Sequence, residues 1–178
     1  MNCLLRTAGV ALIALSASAG LQAQAASGPT DPQIAGIVVA ANQIDIDAGK
    51  LALKKTKNSE VRQLAQQMVD DHSKLQGDVG ALAKKLNVTP ATSPTQQQLK
   101  SQADQTMTKL KGLSGAAFDK AYVDNEVTYH QAVIDATKNT LIPNAQNADL
   151  KSALESAAPL FQGHLEHAQH VQSSLGGK

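Results

Sequence analysis

The segment from Met68 to Leu75, MVDDHSKL, lies inside a long stretch in which apolar residues return at steps of four and three. That spacing is the period of an amphipathic helix, whose apolar side chains form one stripe facing the core. The positions of this stripe are Val61, Ala65, Met68, His72, Leu75, Val79 and Leu82. His72 therefore stands where leucine or valine is expected, and the pattern predicts a buried histidine in the middle of this helix.

Capping residues, prolines and the same apolar spacing predict four more helices on either side of this one. Asp31, followed by Pro32, is expected to cap the first of them. The five predicted helices cover residues 32–57, 58–86, 94–111, 114–141 and about 147–176. The third is very polar and is expected to lie across the outside of the domain. No segment has the alternation typical of a β-strand, so the fold class is all-α.

Short turns join the first helix to the second and the fourth to the fifth, so each pair should be antiparallel. Residues 87–113 form the one long connection, and it contains the polar third helix. Two helical hairpins linked by a single crossover are typical of ferritin-like bundles. The sequence therefore predicts a ferritin-like four-helix bundle with a short extra crossover helix between the second and fourth predicted helices.

The first 25 residues have the pattern of a cleaved secretory signal. Arg6 supplies the positive charge, residues 8–20 are apolar or small, and Ala23-Gln24-Ala25 is a cleavage signal. We expect cleavage after Ala25, a disordered lead-in over residues 26–30 and the bundle over 31–178. The mature protein is then periplasmic or otherwise exported.

Charge and cysteine content exclude several classes of function for the mature chain. Removal of Arg6 leaves 15 basic against 15 acidic side chains, a balance that does not predict nucleic-acid binding. The apolar part of the leader is too short for a membrane span. Cys3, the only cysteine, lies in the leader, so thiolate metal sites and cysteine nucleophiles are excluded.

Titratable residues interrupt the predicted inner faces of four helices at similar depth. Asp45 and His72 lie at nearly equal distances from the first turn, so they should differ by only about 3 Å along the bundle axis. His130 and His164 fall on the inner faces of the fourth and fifth predicted helices. Asp70 or Asp71 is expected to orient one of the histidines. The predicted metal ligands are His72, His130, His164, Asp45, Glu126 and His167.

Imidazole nitrogens favour zinc or copper as the bound divalent ion. Iron is disfavoured because di-iron bundles carry Glu-x-x-His, whereas here the residues three before the histidines are Val69, Val127 and Phe161. No nucleophile or H-E-x-x-H motif is present, so we expect binding rather than catalysis. The partner is then a metal ion or an envelope protein, and the sequence does not predict the oligomeric state.

Two other interpretations remain open. In the first, the histidines form a metal-free buried hydrogen-bond network in a structural or protein-interaction module of the cell envelope, related to stress. In the second, a metal centre with an open coordination position makes the protein an oxidoreductase. The metal stoichiometry of the purified protein distinguishes the metal-free network from metal binding. Redox activity of the metal-loaded protein distinguishes an oxidoreductase from a protein that only binds the metal.

Several stretches resemble the exported bacterial family known as domain of unknown function 4142, a member of the ferritin-like superfamily. They are DIDAGKLAL from Asp45, VRQLAQQMVDDHSKL from Val61, FDKAYVDNEVTYHQAVI from Phe118 and LKSALESAAPLFQGHLEHAQ from Leu150. The resemblance implies a periplasmic ferritin-like bundle with recurrent histidines at 72, 130 and 164. It also implies an acidic residue at position 45, where the family usually has glutamate, and it implies no established activity.

Overall fold

The computed structural model describes residues 28–177, and within that range every regular element is helical. The elements are α1 (Asp31–Lys55), α2 (Ser59–Lys85), α3 (Pro94–Gly112), α4 (Gly115–Ala136), a π-helical turn (Thr137–Leu141), α5 (Ile142–Asn144) and α6 (Ala148–Gly176). The predicted all-α class is confirmed. The predicted signal and cleavage site lie outside the described residues.

Asparagine side chains begin the second helix of each hairpin. The Oδ1 atoms of Asn58 and Asn147 each accept two backbone N–H groups from the first turn of α2 and α6, respectively. The prediction that Asp31 caps α1 is wrong, because Thr30 is the cap. The Asp31 carboxylate instead accepts the backbone N–H groups of Gln146 and Asn147, each at 2.9 Å. It thereby joins the start of α1 to the start of α6.

The helix predicted over 114–141 is present, but it is not a regular α-helix throughout, because α4 ends at Ala136 and a π-helical turn follows. The Ile142 N–H donates to the Thr137 carbonyl, five residues earlier in the chain. Pro143 follows at once and has no N–H to donate, so regular α-helical bonding is interrupted here.

The long helices pack as two pairs, α1 with α2 and α4 with α6, and the pairs meet through α1 with α4 and α2 with α6. The core has two apolar parts, one near each end of the molecule. The upper core includes Ala52, Val61, Leu64, Met68, Phe118, Tyr122, Ala168 and Val171. The lower core consists of Ile34, Ile37, Leu141, Ala145, Leu150 and Leu154.

Helix α3 lies against α1 and also contacts α4, and only Gln96 and Leu110 of its residues are buried. Gln96 Nε2 donates to the Gly36 carbonyl at 2.8 Å. The preceding connection is held close to α1, since the Ala91 N–H donates to the Pro32 carbonyl at 2.8 Å. A Cβ at Gly36 would lie 2.0 Å from the Ala91 oxygen, so only glycine permits this approach.

In the part of the chain that the structure describes, no helix is both long enough and apolar enough to cross a lipid bilayer.

Candidate metal centre

Between the two apolar cores, all four long helices bring titratable side chains to one buried place. Helix α1 supplies Asp45, α2 supplies His72, α4 supplies Glu126 and His130, and α6 supplies His164. None of the five is more than 2% exposed. The three imidazole rings lie in mutual contact, with centroid separations of 5.1, 5.2 and 5.7 Å. Five of the six predicted ligands therefore converge.

Each imidazole is fixed through one nitrogen by an oxygen acceptor. His72 Nδ1 lies 2.9 Å from Asn42 Oδ1, and His130 Nδ1 lies 3.0 Å from the Glu126 carbonyl oxygen. His164 Nε2 lies 2.9 Å from Asp71 Oδ2. An amide carbonyl, a backbone carbonyl or a carboxylate can only accept, so each of these nitrogens carries the proton. The other nitrogen of each ring is then a lone-pair donor.

The remaining nitrogens are His72 Nε2, His130 Nε2 and His164 Nδ1, and they are shielded from solvent. None of them has a hydrogen-bond partner among residues 28–177. One ligand atom from each of the three histidines lies within 4.8 Å of those of the other two. Tetrahedral zinc with Zn–N bonds of about 2.0–2.1 Å brings its ligand nitrogens to about 3.3 Å of one another. A contraction of these separations by at most about 1.5 Å would therefore suffice.

Asp45 faces these nitrogens from α1. Its Oδ2 lies 2.8 Å from His72 Nε2 and 3.3 Å from His130 Nε2. Both contacts are short, yet neither is aligned as a hydrogen bond, and both Asp45 oxygens lack such a partner within the described chain. We therefore regard the contacts as electrostatic. Asp45, Glu126 and His130 also form a second group whose ligand atoms lie within 4.8 Å of one another.

The two buried carboxyl groups have opposite pKa shifts. Burial, reinforced by the neighbouring Asp45, raises the pKa of Glu126 well above its ordinary value. Burial also acts to raise the pKa of Asp45, but electrostatic interaction with the nearby His72 and His130 rings outweighs burial and lowers that pKa. The two shifts therefore favour the ionised form of Asp45 and the protonated form of Glu126.

Two of the histidines, His130 and His164, are kept neutral by burial. Desolvation lowers the pKa of His130 to about 4, although the charge of Asp45 opposes the shift. Burial lowers the pKa of His164 as well, although the hydrogen bond that His164 donates to Asp71 opposes the shift. Neutral imidazole is the form that binds a metal ion, so both side chains are ready to act as ligands at neutral pH.

Some residues considered from the sequence lie outside this cluster. His167 is in neither group of ligand atoms, and its Nδ1 lies 2.7 Å from Gln67 Oε1. Of the two aspartates expected to orient a histidine, Asp71 does so for His164. Asp70 is exposed and accepts a hydrogen bond from Gln66.

The sequence reasoning missed Asn42 and Tyr129. Asn42 is 2% exposed and lies three residues before Asp45, so its place on the inward stripe of α1 was a signal that could have identified it. The hydroxyl of Tyr129 donates to the Ala41 carbonyl at 2.9 Å, and its ring meets His130 edge to face at 5.9 Å. Both residues hold the surroundings of the histidines in place.

The chain belongs to the family described as Domain of unknown function (DUF4142), whose model matches residues 16–171. Two solved structures are similar to it in fold. A DUF305 protein from Streptomyces coelicolor, named as a candidate secreted protein, has a TM-score of 0.68 and 14% identity, covering 81% of this chain and 92% of its own. A DUF305 fragment from Deinococcus radiodurans has a TM-score of 0.66 and 15% identity, and the match covers 82% of this chain and 99% of the fragment. No curated protein matches the chain significantly.

Proposed function

We propose that this chain is an exported protein of the cell envelope that binds one divalent metal ion, zinc or copper, without catalysing a reaction. His72, His130 and His164 are the ligands, and Asp45 is the fourth. Glu126 is a further ligand or holds the position of its neighbours. His167 is left out of this set because its ring nitrogens belong to neither group of converging ligand atoms.

The observation that carries the proposal is the set of three buried imidazole nitrogens without hydrogen-bond partners in the described chain. Leaving such lone pairs desolvated costs free energy, and a cation bound between them recovers it. The opposite nitrogen of each ring is held by an oxygen acceptor, as is usual for metal-bound histidines. Three such arrangements, from three helices, support a metal site more strongly than any single contact.

The donor set is suited to one ion rather than two. His130 belongs to both groups of ligand atoms, but its Nδ1 is engaged by the Glu126 carbonyl, so only Nε2 is free. A single nitrogen lone pair cannot serve two ions. With Asp45 ionised and Glu126 protonated, the empty cluster carries one negative charge. If Glu126 loses its proton when the ion binds, the two carboxylates carry two negative charges, which balance the charge of a divalent cation.

The fold and the cellular location belong to the same proposal. Two hairpins joined by one long crossover support a ferritin-like four-helix bundle with α3 as the extra helix. The secretory pattern of residues 1–25 supports export to the periplasm with cleavage after Ala25. The similarity to a protein named as a candidate secreted protein is compatible with export.

A second candidate is a metal-free structural or interaction module of the envelope. The observation in its favour is the 2.8 Å approach of His72 Nε2 to Asp45 Oδ2, beside a protonated Glu126. In the other tautomer of His72, with the Asn42 amide reversed, the Nε2–H group would donate to Asp45 Oδ2 and close a hydrogen-bond network without any ion. In that case the cluster specifies the core, and the biological partner is another envelope protein.

Elemental analysis of untagged protein isolated from the cell envelope tests the proposal. We expect close to one zinc or copper ion per chain, and loss of that ion in His72→Ala, His130→Ala and His164→Ala. His170→Ala is the matched control, because His170 is an exposed histidine on the same helix as His164. If the wild type contains no metal, or if all variants contain the same amount as the wild type, the result would support the metal-free alternative.

Thermal unfolding provides a second readout for the same variants. If His72 is a ligand, His72→Ala lowers the melting temperature more in the metal-loaded protein than in the chelated one, because bound metal stabilises only the folded state. Equal losses in both forms would mean that His72 contributes through packing and hydrogen bonding alone.

A further inference from the structure

The chain has two tyrosines, and only one of their hydroxyl groups is paired in the part that the structure describes. The hydroxyl of Tyr129 donates to the Ala41 carbonyl at 2.9 Å. Tyr122 is 0% exposed, and its hydroxyl has no hydrogen-bond partner among residues 28–177. A buried O–H group without an acceptor costs free energy, because it has given up its bonds to water.

Tyr122 lies one helical turn before Glu126, and both side chains are buried on α4. Residues four apart on a helix are neighbours, and each side chain leans toward the N-terminus of its helix. The Glu126 carboxyl group therefore leans back toward the turn that carries Tyr122. The same lean is visible one turn farther along, where His130 Nδ1 lies 3.0 Å from the Glu126 carbonyl oxygen.

The charges of both carboxyl groups of the centre act on the Tyr122 hydroxyl. Burial is the largest cause that raises the pKa of Tyr122 well above its ordinary value, and the charges of Glu126 and Asp45 add to it. A tyrosine hydroxyl is protonated at neutral pH even without such a shift. Tyr122 is therefore available as a hydrogen-bond donor.

The buried centre has more acceptors than donors. Lone pairs without a partner in the described chain belong to both oxygens of Asp45, both oxygens of Glu126 and one nitrogen of each of three histidines. A tetrahedral ion does not take up all of these lone pairs. A carboxylate that holds the ion through one oxygen leaves its other oxygen in need of a donor. On the α4 side of the centre, the Tyr122 hydroxyl is a donor of that kind.

We propose that Tyr122 is a positioning residue of the metal centre. In the metal-loaded protein its hydroxyl donates to a Glu126 carboxyl oxygen that the ion does not hold, and it thereby fixes Glu126 beside Asp45 and His130. Partners of this kind keep the groups around a metal ion in the binding geometry. The inference rests on the proposed function, because Tyr122 has this role only when an ion is bound.

Asp119 offers a competing acceptor for the same hydroxyl. It lies three residues before Tyr122 on α4, and its buried Oδ1 has no partner in the described chain. A hydrogen bond between these two side chains would not depend on the ion. Its loss would therefore destabilise the chelated and the metal-loaded protein equally, so comparison of the two forms distinguishes the two acceptors.

The variant Tyr122→Phe of the untagged protein tests the proposal. It removes the hydroxyl and keeps the ring, which packs parallel to Phe118 at 6.2 Å between centroids. Zinc affinity is measured by competition with a chromophoric chelator, and we expect it to fall about tenfold. The melting temperature of the chelated protein should stay the same or rise, because the variant removes an unpaired buried hydroxyl.

Val123→Ala is the matched control, because Val123 is the next residue of α4 and is equally buried but apolar. It should lower the melting temperature equally in both forms and leave zinc affinity unchanged. Unchanged zinc affinity in Tyr122→Phe, or equal thermal losses in its two forms, would overturn the positioning role and leave the metal site in place.

Two further outcomes would also overturn the inference. A phenolate charge-transfer band in the copper(II)-loaded wild type that Tyr122→Phe removes would mean that Tyr122 is itself a ligand. Absence of both zinc and copper binding in the wild type would overturn the proposed function together with this inference.

Discussion

Acidification of the metal-free protein should destabilise it through His130. The pKa of this histidine is lowered from 6.5 to about 4 by burial, so the folded protein resists protonation that the unfolded chain accepts. As the pH falls below 6.5, the unfolded state binds more protons and stability decreases. The loss continues until the pH reaches the folded pKa of about 4.

The magnitude follows from the size of this shift. A difference of about 2.5 pKa units corresponds to about 3 kcal/mol between pH 7 and pH 4, at about 1.4 kcal/mol per unit. The side chain of His130 is 1% exposed, so solvent screening does not reduce this value much. Asp45, His72, Glu126 and His164 surround the ring and set its environment.

The assay is urea unfolding with a chelator at pH 7 and pH 4, for wild type and His130→Gln. Glutamine removes the titration, so the variant should lose about 3 kcal/mol less than the wild type over this interval. His170→Gln, at an exposed histidine of α6, should behave like the wild type. An identical loss in wild type and His130→Gln would refute the reasoning, since the folded protein would then accept the proton without cost.

Three further predictions concern α4, the crossover and α6. As the pH rises toward the raised pKa of Glu126, the chelated wild type should lose up to about 1.4 kcal/mol of stability per pH unit, and Glu126→Gln should remove this loss. Thermal melts at pH 6 and pH 9 measure the difference, and the same pH dependence in both proteins would contradict the prediction. Gly36→Ala should cost about 1–3 kcal/mol in urea unfolding, because its Cβ would meet the Ala91 oxygen; an unchanged midpoint would mean that the connection moves freely. Asn147→Ala should cost about 1 kcal/mol by removing the cap of α6, and a neutral result would show that water replaces it.

Much of the fold and of the cluster could be predicted from local features. The apolar stripe through Met68 and Leu75 predicted α2, and the break in that stripe predicted that His72 is buried. Similar breaks on the other helices led to Asp45, Glu126, His130 and His164. These predictions succeeded because helix geometry relates residue spacing directly to the face on which a side chain lies. The cap of α1 was predicted wrongly, and the π-helical turn after Ala136 was not predicted, since longer-range contacts and the bonding around Pro143 decide them.

The amino-acid sequence by itself determined which segments are helical, how the short turns pair them and which polar residues face inward. These properties depend on neighbours within a few residues. Only the tertiary structure decided that Asp71 pairs with His164, that Asn42 holds His72 and that His167 lies apart. The physical reason is that helices rotate and slide as rigid bodies, and one residue of register turns a side chain by about 100°. Spacing within one helix carries no information on that movement, whereas packing between helices sets it.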